Sequence, residues 1–437
     1  MRPGPRQCGL SLLLRAMNPP ADTLSELRAG RLAGATRLDL RHAGLSEFPR
    51  EIFTLADTLE SLDLSDNALQ ALPDDLPRLG ALRVLFCSNN RFTELPAVLG
   101  RCAGLHIVGF KANAIERVPA AALPASLRWL ILTDNRIATL PDSLLRCVRL
   151  QKLMLAGNRL AALPTGLAAL QRLELVRLAA NRFATREAAL PAELLALPRL
   201  AWLACAGNPF NAADEAQALA RGGVPAVDWS ALRVGALLGE GASGVIHAAH
   251  WTAPDGAARA MAVKLFKGAV TSDGLPASEM AACIAAGTHA DIVGVEGLVA
   301  AHPQGAQGLV MQRIPAGYRN LAGPPSLASC TRDVYASDLR LAVPVARAIA
   351  QGVGAALAHL HGRGLLHGDL YAHNILVDAA GHALLGDFGA ASFLPATDPQ
   401  RAAALQRLDL RALAVLVDEL AQRCVDPGAL DDLRLAG

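Results

Sequence analysis

Three glycines have a spacing that can bring the backbone close to phosphate groups. Gly239, Gly241 and Gly244 form the pattern G-x-G-x-x-G. In a dinucleotide-binding turn this pattern would open a helix, but the residues that follow here, 245–251, alternate like a strand. A glycine-rich turn between two strands can lie over phosphates while its N–H groups approach them. The sequence therefore predicts a phosphate-binding loop.

Charged and amide side chains follow this loop in a fixed order. Lys264 ends an apolar strand-like stretch 25 residues after Gly239, and Glu279 comes 15 residues later in a helix-like run. Further along, Asn374 follows Asp369 by five residues and Asp387 follows Asp369 by 18.

Six motifs in this order resemble the protein-kinase superfamily. They are G-x-G-x-x-G, Ala262-Val263-Lys264, Glu279, His367-Gly368-Asp369, Asn374 and Asp387-Phe388-Gly389. The resemblance implies a two-lobed, kinase-like α+β domain over residues 229–437. It also implies transfer of the γ-phosphate of Mg-ATP to a hydroxyl group, with ATP and magnesium as cofactors.

The resemblance gives five residues a role in the chemistry. Lys264 would hold the α- and β-phosphates, with its ammonium positioned by an ion pair to Glu279. Asn374 and Asp387 would bind magnesium, a hard cation that prefers oxygen ligands. Asp369 would accept the proton of the attacking hydroxyl.

The resemblance also predicts an ATP pocket. Residues from the loop would cover the phosphates: Gly239, Glu240, Gly241, Ala242, Ser243 and Gly244. Three apolar side chains would sandwich the adenine: Ile246, Ala262 and Leu376. Met311 would close the back of the pocket, and the backbone from Gln312 to Ile314 would bond the adenine edge. His367 would brace the catalytic loop, whereas His373 has no assigned role.

Two departures from the family pattern surround Asp369. Gly368 stands where the family usually has an arginine that pairs with a phosphorylated activation loop, which argues against switching by loop phosphorylation. Tyr371 stands where a lysine would steady the transferring phosphate and mark a Ser/Thr enzyme.

The segment after Asp387 is short. Asp409, which resembles the family aspartate that anchors the catalytic loop, follows by only 22 residues, and no A-P-E motif lies between them. The family uses this segment to dock a peptide acceptor. Its reduction is compatible with an unusual protein substrate, autophosphorylation on Ser392 or Thr397, or a small-molecule acceptor.

An internal repeat precedes these motifs in the chain. Asparagines recur at spacings of 23, 23, 22, 23, 23 and 27 residues: Asn67, Asn90, Asn113, Asn135, Asn158, Asn181 and Asn208. Alternating leucines come before most of them, and a Leu-Pro or Val-Pro step follows the first five. This resembles the leucine-rich-repeat family, so residues 36–210 are predicted to stack as seven or eight coils of a solenoid.

The outward-facing strand positions of these coils form an unusual apolar row. Strand residues alternate between the two faces of a sheet, and the row comprises Phe86, Trp129, Ile131, Met154, Leu175 and Trp202. Aromatic residues and methionine are enriched at binding interfaces. The row therefore predicts a protein partner on the concave face, with packing against the second domain as the alternative.

Composition and cysteine usage set the broad class. The 437 residues carry a formal net charge of +2 and are 52% hydrophobic, which excludes a disordered chain and a strong general attraction to nucleic acid or membrane surfaces. The eight cysteines form no C-x-x-C pair, so we expect reduced, buried thiols and a cytoplasmic protein. The apolar run at residues 10–14 is too short for a typical signal peptide, and translation starting at Met17 would remove it.

The predicted organisation is a leader and cap at 1–35, the repeats at 36–210, a linker at 211–228 that is not a membrane span, and the kinase-like domain at 229–437. This arrangement resembles cytosolic bacterial repeat-kinases. Three functions stay open: an active protein kinase, which we favour as a Ser/Thr enzyme, a pseudokinase that serves as an ATP-binding scaffold, and a kinase for a small hydroxylated molecule.

Overall fold

The computed structural model describes residues 20–241, 244–267, 270–271 and 273–434. The expected loop residues Ala242 and Ser243, and the leader up to residue 19, lie outside these ranges. The α-helices are α1 (Pro20–Arg28), α2 (Arg186–Ala189), α3 (Ala192–Leu195), α4 (Ala212–Arg221), α5 (Pro276–Ala286), α6 (Val343–Gly362), α7 (Pro399–Ala421) and α8 (Asp431–Arg434).

The repeats form one parallel sheet of eight short strands in sequence order. They are β1 (Arg37–Asp39), β2 (Ser61–Asp63), β3 (Val84–Phe86), β4 (Ile107–Gly109), β5 (Trp129–Ile131), β6 (Lys152–Met154), β7 (Leu175–Arg177) and β8 (Trp202–Ala204). The central residue of each strand is a buried leucine or valine. Because no single coil could bury this face alone, the coils stack, and the predicted solenoid is confirmed.

The repeating asparagines tie neighbouring coils together. The side-chain oxygen of Asn67 accepts a hydrogen bond from Leu45 N at 2.9 Å, and its amide nitrogen donates to Leu40 O at 2.9 Å in the preceding coil. The same arrangement recurs up to Asn208, whose side chain bonds Phe183 N and Leu178 O. The asparagine thus satisfies backbone groups that a turn would otherwise leave unpaired.

The second sheet belongs to the amino-terminal lobe of the kinase-like domain. Its strands are β9 (Ala226–Asp228), β10 (Leu232–Glu240), β11 (Gly244–Thr252), β12 (Ala258–Phe266), β13 (Val295–Ala300) and β14 (Gly308–Gln312), in the order β10-β11-β12-β14-β13-β9. Residues 211–228, which we expected to be a linker, are not an open connection. They fold into α4, which contacts α5, and into β9, which pairs in parallel with β13.

The carboxyl-terminal lobe is built around α6 and α7. Small antiparallel pairs flank the helices: β15 (Arg319–Asn320), β16 (Leu365–Leu366), β17 (Ile375–Val377), β18 (Ala383–Leu385) and β19 (Ser392–Phe393). By length and composition alone α6 could span a membrane. Its apolar side chains, from Ala346 to Leu360, lie in the core of this lobe, as expected for a core helix.

The two domains share their hydrophobic cores. Four side chains of the carboxyl-terminal lobe join the apolar core of the repeats: Leu366, Leu394, Leu405 and Leu408. Conversely, Leu175 and Trp202 of the repeats lie in the core of that lobe. The kinase-like domain therefore covers the last coil of the solenoid, which would otherwise expose its apolar edge.

Candidate active site

A buried ion pair lies between the second sheet and helix α5. Lys264 Nζ on β12 is 2.5 Å from Glu279 Oε1, and the side chains are 8% and 5% exposed. Burial alone would lower the pKa of Lys264, but the charges of Glu279 and Asp387 outweigh it and raise the pKa. The lysine is therefore a fixed cation inside the cleft, as phosphate binding requires.

The catalytic loop is held by buried polar contacts. Asn374 Nδ2 donates to Asp369 Oδ2 and to Asp369 O, both at 3.0 Å. Asp409, fully buried on α7, accepts hydrogen bonds from the backbone N–H groups of His367 and Gly368, each at 2.9 Å. His367 accepts from Asp369 N and contacts Gly386 O through Nε2 at 3.1 Å. The structure thus places Asp409 as an anchor and His367 as a brace.

His373, which had no role at the sequence level, ties the loop to a neighbouring segment. Its backbone N–H and its Nδ1 both contact the buried Asp333 carboxylate, at 3.0 and 2.8 Å. Burial lowers the pKa of His373, but the hydrogen bond and charge of Asp333 outweigh it, so the net shift is upward.

Oxygen donors suited to magnesium lie beside Asp369. The amide nitrogen of Asn374 is taken up by Asp369, which leaves its oxygen as the ligand atom. Asp387 contributes a carboxylate close enough to raise the pKa of Lys264. A Cβ on Gly389 would be 3.2 Å from Asp387 Oδ1 and 3.6 Å from Glu279 Oε2, so Asp387 lies beside the Lys264–Glu279 pair.

The donor set also indicates that protein, water and substrate would each supply ligands to a metal. In the described part of the chain no cluster of three or more His, Cys, Asp or Glu could hold a metal ion by itself. Asn374 and Asp387 fit magnesium, which usually binds to one or two protein oxygens and completes its shell with water and substrate phosphate.

The residues expected to surround the adenine lie on strands of both lobes. Ala262 pairs with Met311 across β12 and β14, Ile246 pairs with Lys264, and Leu376 lies on β17. Gln312 N donates to Gly294 O at 2.9 Å, so that amide is already engaged. Ile314 is half-buried, and Glu240 forms an exposed ion pair with Lys267.

Arg177 is the residue that sequence reasoning missed. It lies on repeat strand β7, its side chain is 3% exposed, and its guanidinium forms ion pairs with two aspartates. Nη2 contacts Asp369 Oδ1, and Nε is 2.6 Å from Asp273 Oδ1. Its strand position resembles every other one in the repeat, so only the stacking of the domains reveals it.

The two departures around Asp369 have a structural explanation. Gly368 has a φ of +73°, and a Cβ there would overlap the carbonyl oxygen of Leu203 on β8. Gly368 O instead accepts a hydrogen bond from Leu203 N at 2.9 Å. Tyr371 stacks on Trp202, with ring centroids 4.4 Å apart and planes 7° apart. Both residue types thus suit contact with the repeats.

Contact with the kinase-like domain buries one end of the predicted partner row and leaves the rest half-buried. Trp202 is 1% exposed and donates from Nε1 to Leu370 O at 2.8 Å, and Leu175 is also buried in the kinase-like core. The prediction that Trp202 is available to an external partner is therefore wrong, and the alternative of packing on the second domain holds there. Met154 is half-buried and packs against the core of the kinase-like domain, whereas Phe86, Trp129 and Ile131 are half-buried without being part of that core.

Comparison with known families agrees with the cleft and the solenoid described above. Residues 232–417 match the family of protein tyrosine and serine/threonine kinases, and residues 58–79 match the leucine-rich repeat. The chain is a leucine-rich-repeat protein with a protein-kinase domain. The kinase match begins at the first residue of β10 and ends four residues before the end of α7.

Relatives of this repeat-kinase match it only in part. Human leucine-rich repeat-containing protein 58 is 32% identical over 26% of the chain and 32% of its own length. A probable inactive serine/threonine-protein kinase of Dictyostelium discoideum, roco10, is 29% identical over 27% of the chain and 5% of its own length. The chain thus matches a third or less of the length of these relatives. A leucine-rich-repeat protein of Leptospira interrogans superposes with a TM-score of 0.36 at 24% identity, covering 45% of this chain and 53% of that one.

Proposed function

We propose that the protein is an ATP-dependent protein kinase, with serine or threonine as the acceptor, that works in the cytoplasm. The observation that carries this proposal is the assembled cleft. In it, the buried Lys264–Glu279 pair lies beside Asp387, and Asn374 is bonded to Asp369. Each position at which the family needs a residue to bind phosphate, to bind metal or to accept a proton holds a suitable residue.

The residues have separate tasks in the proposed reaction. Lys264 holds the α- and β-phosphates of ATP, and Asn374 and Asp387 hold magnesium, which neutralises charge on the phosphates. The acceptor oxygen attacks the γ-phosphorus as the bond to the β,γ-bridging oxygen breaks. ADP leaves with that electron pair, and the acceptor proton passes to Asp369. Burial would raise the pKa of Asp369, but Arg177 and two histidines outweigh it, so the pKa is lowered and the group is ionised.

A kinase for a small hydroxylated acceptor is the second candidate. The segment that would dock a peptide lies under the repeat domain. Ala390 packs with the repeat alanines Ala156, Ala179 and Ala204, and Ser392 is 2% exposed and accepts a hydrogen bond from Cys205. Burial of this segment favours a compact acceptor and makes Ser392 a poor site of autophosphorylation.

The experiment is phosphate transfer from γ-labelled ATP and magnesium to the protein itself, to casein and to a panel of small polyols. Asp369→Ala should abolish transfer, whereas Asp338→Ala, a change at an exposed aspartate, should leave it intact. Label on serine or threonine supports the first candidate, and label on a polyol supports the second. ATP binding without transfer to any acceptor would favour a scaffold and refute both.

The remaining apolar row is the proposed partner surface. Trp129 is half-buried, with Lys152 Nζ lying 4.5 Å from its ring centroid and Met154 Sδ accepting from its Nε1. Trp129→Ala should weaken partner capture without changing ATP affinity. Unchanged capture would exclude this face.

A further inference from the structure

Arg177 lies where the repeat domain and both kinase lobes meet. Asp369 belongs to the catalytic loop of the carboxyl-terminal lobe, and Asp273 precedes α5 in the amino-terminal lobe. A single guanidinium from β7 therefore bridges the two walls of the cleft. Nη2 donates a hydrogen bond to Asp369, whereas the contact of Nε with Asp273 is an ion pair.

The contacts around Arg177 hold the two domains together and keep the arginine between the two aspartates. Gly368 O is bonded to β8, Trp202 is buried on Tyr371, and four leucines of the carboxyl-terminal lobe complete the repeat core. Separating the domains would expose this apolar surface to water, at a cost of about 25 cal/mol per Å². An interface of this kind is unsuited to reversible release of Arg177 from the cleft.

The last residues of the repeat domain and helix α4, which follows them, also contact the segment that carries Glu279. Glu215 on α4 accepts a hydrogen bond from Ser278 Oγ at 2.9 Å, and a Cβ on Gly207 would be 2.9 Å from the Leu275 side chain. With these contacts in place, the Lys264–Glu279 pair is formed. The repeat domain thus packs against the cleft in its assembled arrangement.

We propose that Arg177 is a positioning residue of the phosphotransfer centre, which the repeat domain completes by holding Asp369 in place from outside the kinase domain. This inference rests on the proposed function. Asn374 holds one carboxylate oxygen of Asp369 and Arg177 holds the other, so the carboxylate is fixed on both sides. A displacement of about 1 Å at such a centre can cost about 10²-fold in rate.

The test compares Arg177→Met and Arg177→Lys with Arg182→Met, a change at an exposed arginine in the same coil. Transfer kinetics, ATP affinity and thermal unfolding are measured on the full chain. We expect kcat to fall about 10²-fold in Arg177→Met, with ATP affinity preserved. Arg177→Lys, which keeps the charge but not the planar guanidinium, should recover part of the lost kcat.

Two results would overturn the proposal while leaving the proposed function intact. Faster transfer by Arg177→Met would make the arginine an inhibitory plug, and unchanged transfer would make it a structural contact only. If Arg177→Met does not fold, Arg177→Lys decides, since full activity or a gain in activity in that variant refutes positioning. If neither parent nor variants transfer phosphate to any acceptor, the proposed function fails and this inference fails with it.

Discussion

Two buried pairs of opposite charge define the cleft, and they differ in where their members come from. Lys264 and Glu279 both belong to the kinase domain, with side chains 8% and 5% exposed. Arg177 and Asp369 come from different domains, with side chains 3% and 13% exposed. The two pairs are similarly shielded from water, so the charge of each is costly to leave unpaired.

The comparison shows that only the amino-terminal lobe supplies both charges of its buried pair. The amino-terminal lobe supplies its own partner for Lys264, whereas the catalytic loop relies on a cation from β7. Gly368 and Tyr371 also depend on the repeats, because Gly368 O and the Tyr371 ring contact β8 in addition to their contacts within the kinase domain. The predictions below test whether the interdomain contact is as integral as the contact within the lobe.

The largest effect is expected from Trp202→Ala. The change removes the stacking on Tyr371 and the hydrogen bond to Leu370 O, and truncating a buried tryptophan costs about 3–5 kcal/mol of unfolding free energy. Trp129→Ala, at the same strand position in an earlier coil but half-buried, should cost less. Equal losses in denaturant unfolding would show that the interdomain contact adds nothing.

Lys264→Met should lower phosphate transfer by about 10²–10³-fold, the usual cost of losing one fixed electrostatic contact to a developing charge. Lys267→Met is the matched control, because Lys267 follows the same strand, is 41% exposed and forms an ion pair with the exposed Glu240. Transfer kinetics with labelled ATP compare the two variants. A similar loss in both would remove Lys264 from its proposed role.

Gly368→Ala should destabilise the protein by about 1–3 kcal/mol more than Gly364→Ala, the typical cost of overpacking. Both glycines have left-handed φ values, +73° and +74°, so the backbone strain cancels in the comparison. A Cβ would overlap Leu203 O at position 368 but would meet nothing within 4 Å at position 364. The unfolding free energies of the two variants measure the contact, and identical values would show that β8 can move away from the catalytic loop.

Arg401→Met should have the smallest effect, about 0.2–1 kcal/mol, because ion pairs open to water contribute little. Arg401 pairs across the domains with Glu187, whose side chain is 66% exposed. The loss should shrink further in high salt. A loss as large as that of Trp202→Ala would mean that charge, rather than apolar burial, holds the domains together.

The sequence predicted those features that local patterns encode. The asparagine period fixed the solenoid, since each coil repeats the same backbone bonds. The spacing of motifs from Lys264 to Asp387 indicated which residues share one cleft. The Lys264–Glu279 pair was predicted, and the structure brings it to 2.5 Å.

Contacts between domains had no such local signal. Arg177 occupies an ordinary outward-facing strand position, and its meaning depends on which coil the catalytic loop abuts. Residues 211–228 looked like a linker because α4 is short and polar, yet the helix packs on α5. The glycine at 368 and the tyrosine at 371 were visible as departures from the family pattern, and they were the available hints that an outside surface approaches the loop.

The contact of β8 with the catalytic loop makes the solenoid extensible in one direction only. A coil added before β1 lengthens the concave sheet by one strand spacing, about 4.7–4.9 Å, and leaves Arg177 beside Asp369. A coil inserted between β7 and β8 displaces the arginine from the aspartate by that same distance, which breaks the ion pair. The reach of the arm can therefore change by gain or loss of early repeats, whereas the last two coils must keep their position against the kinase domain to preserve the ion pair.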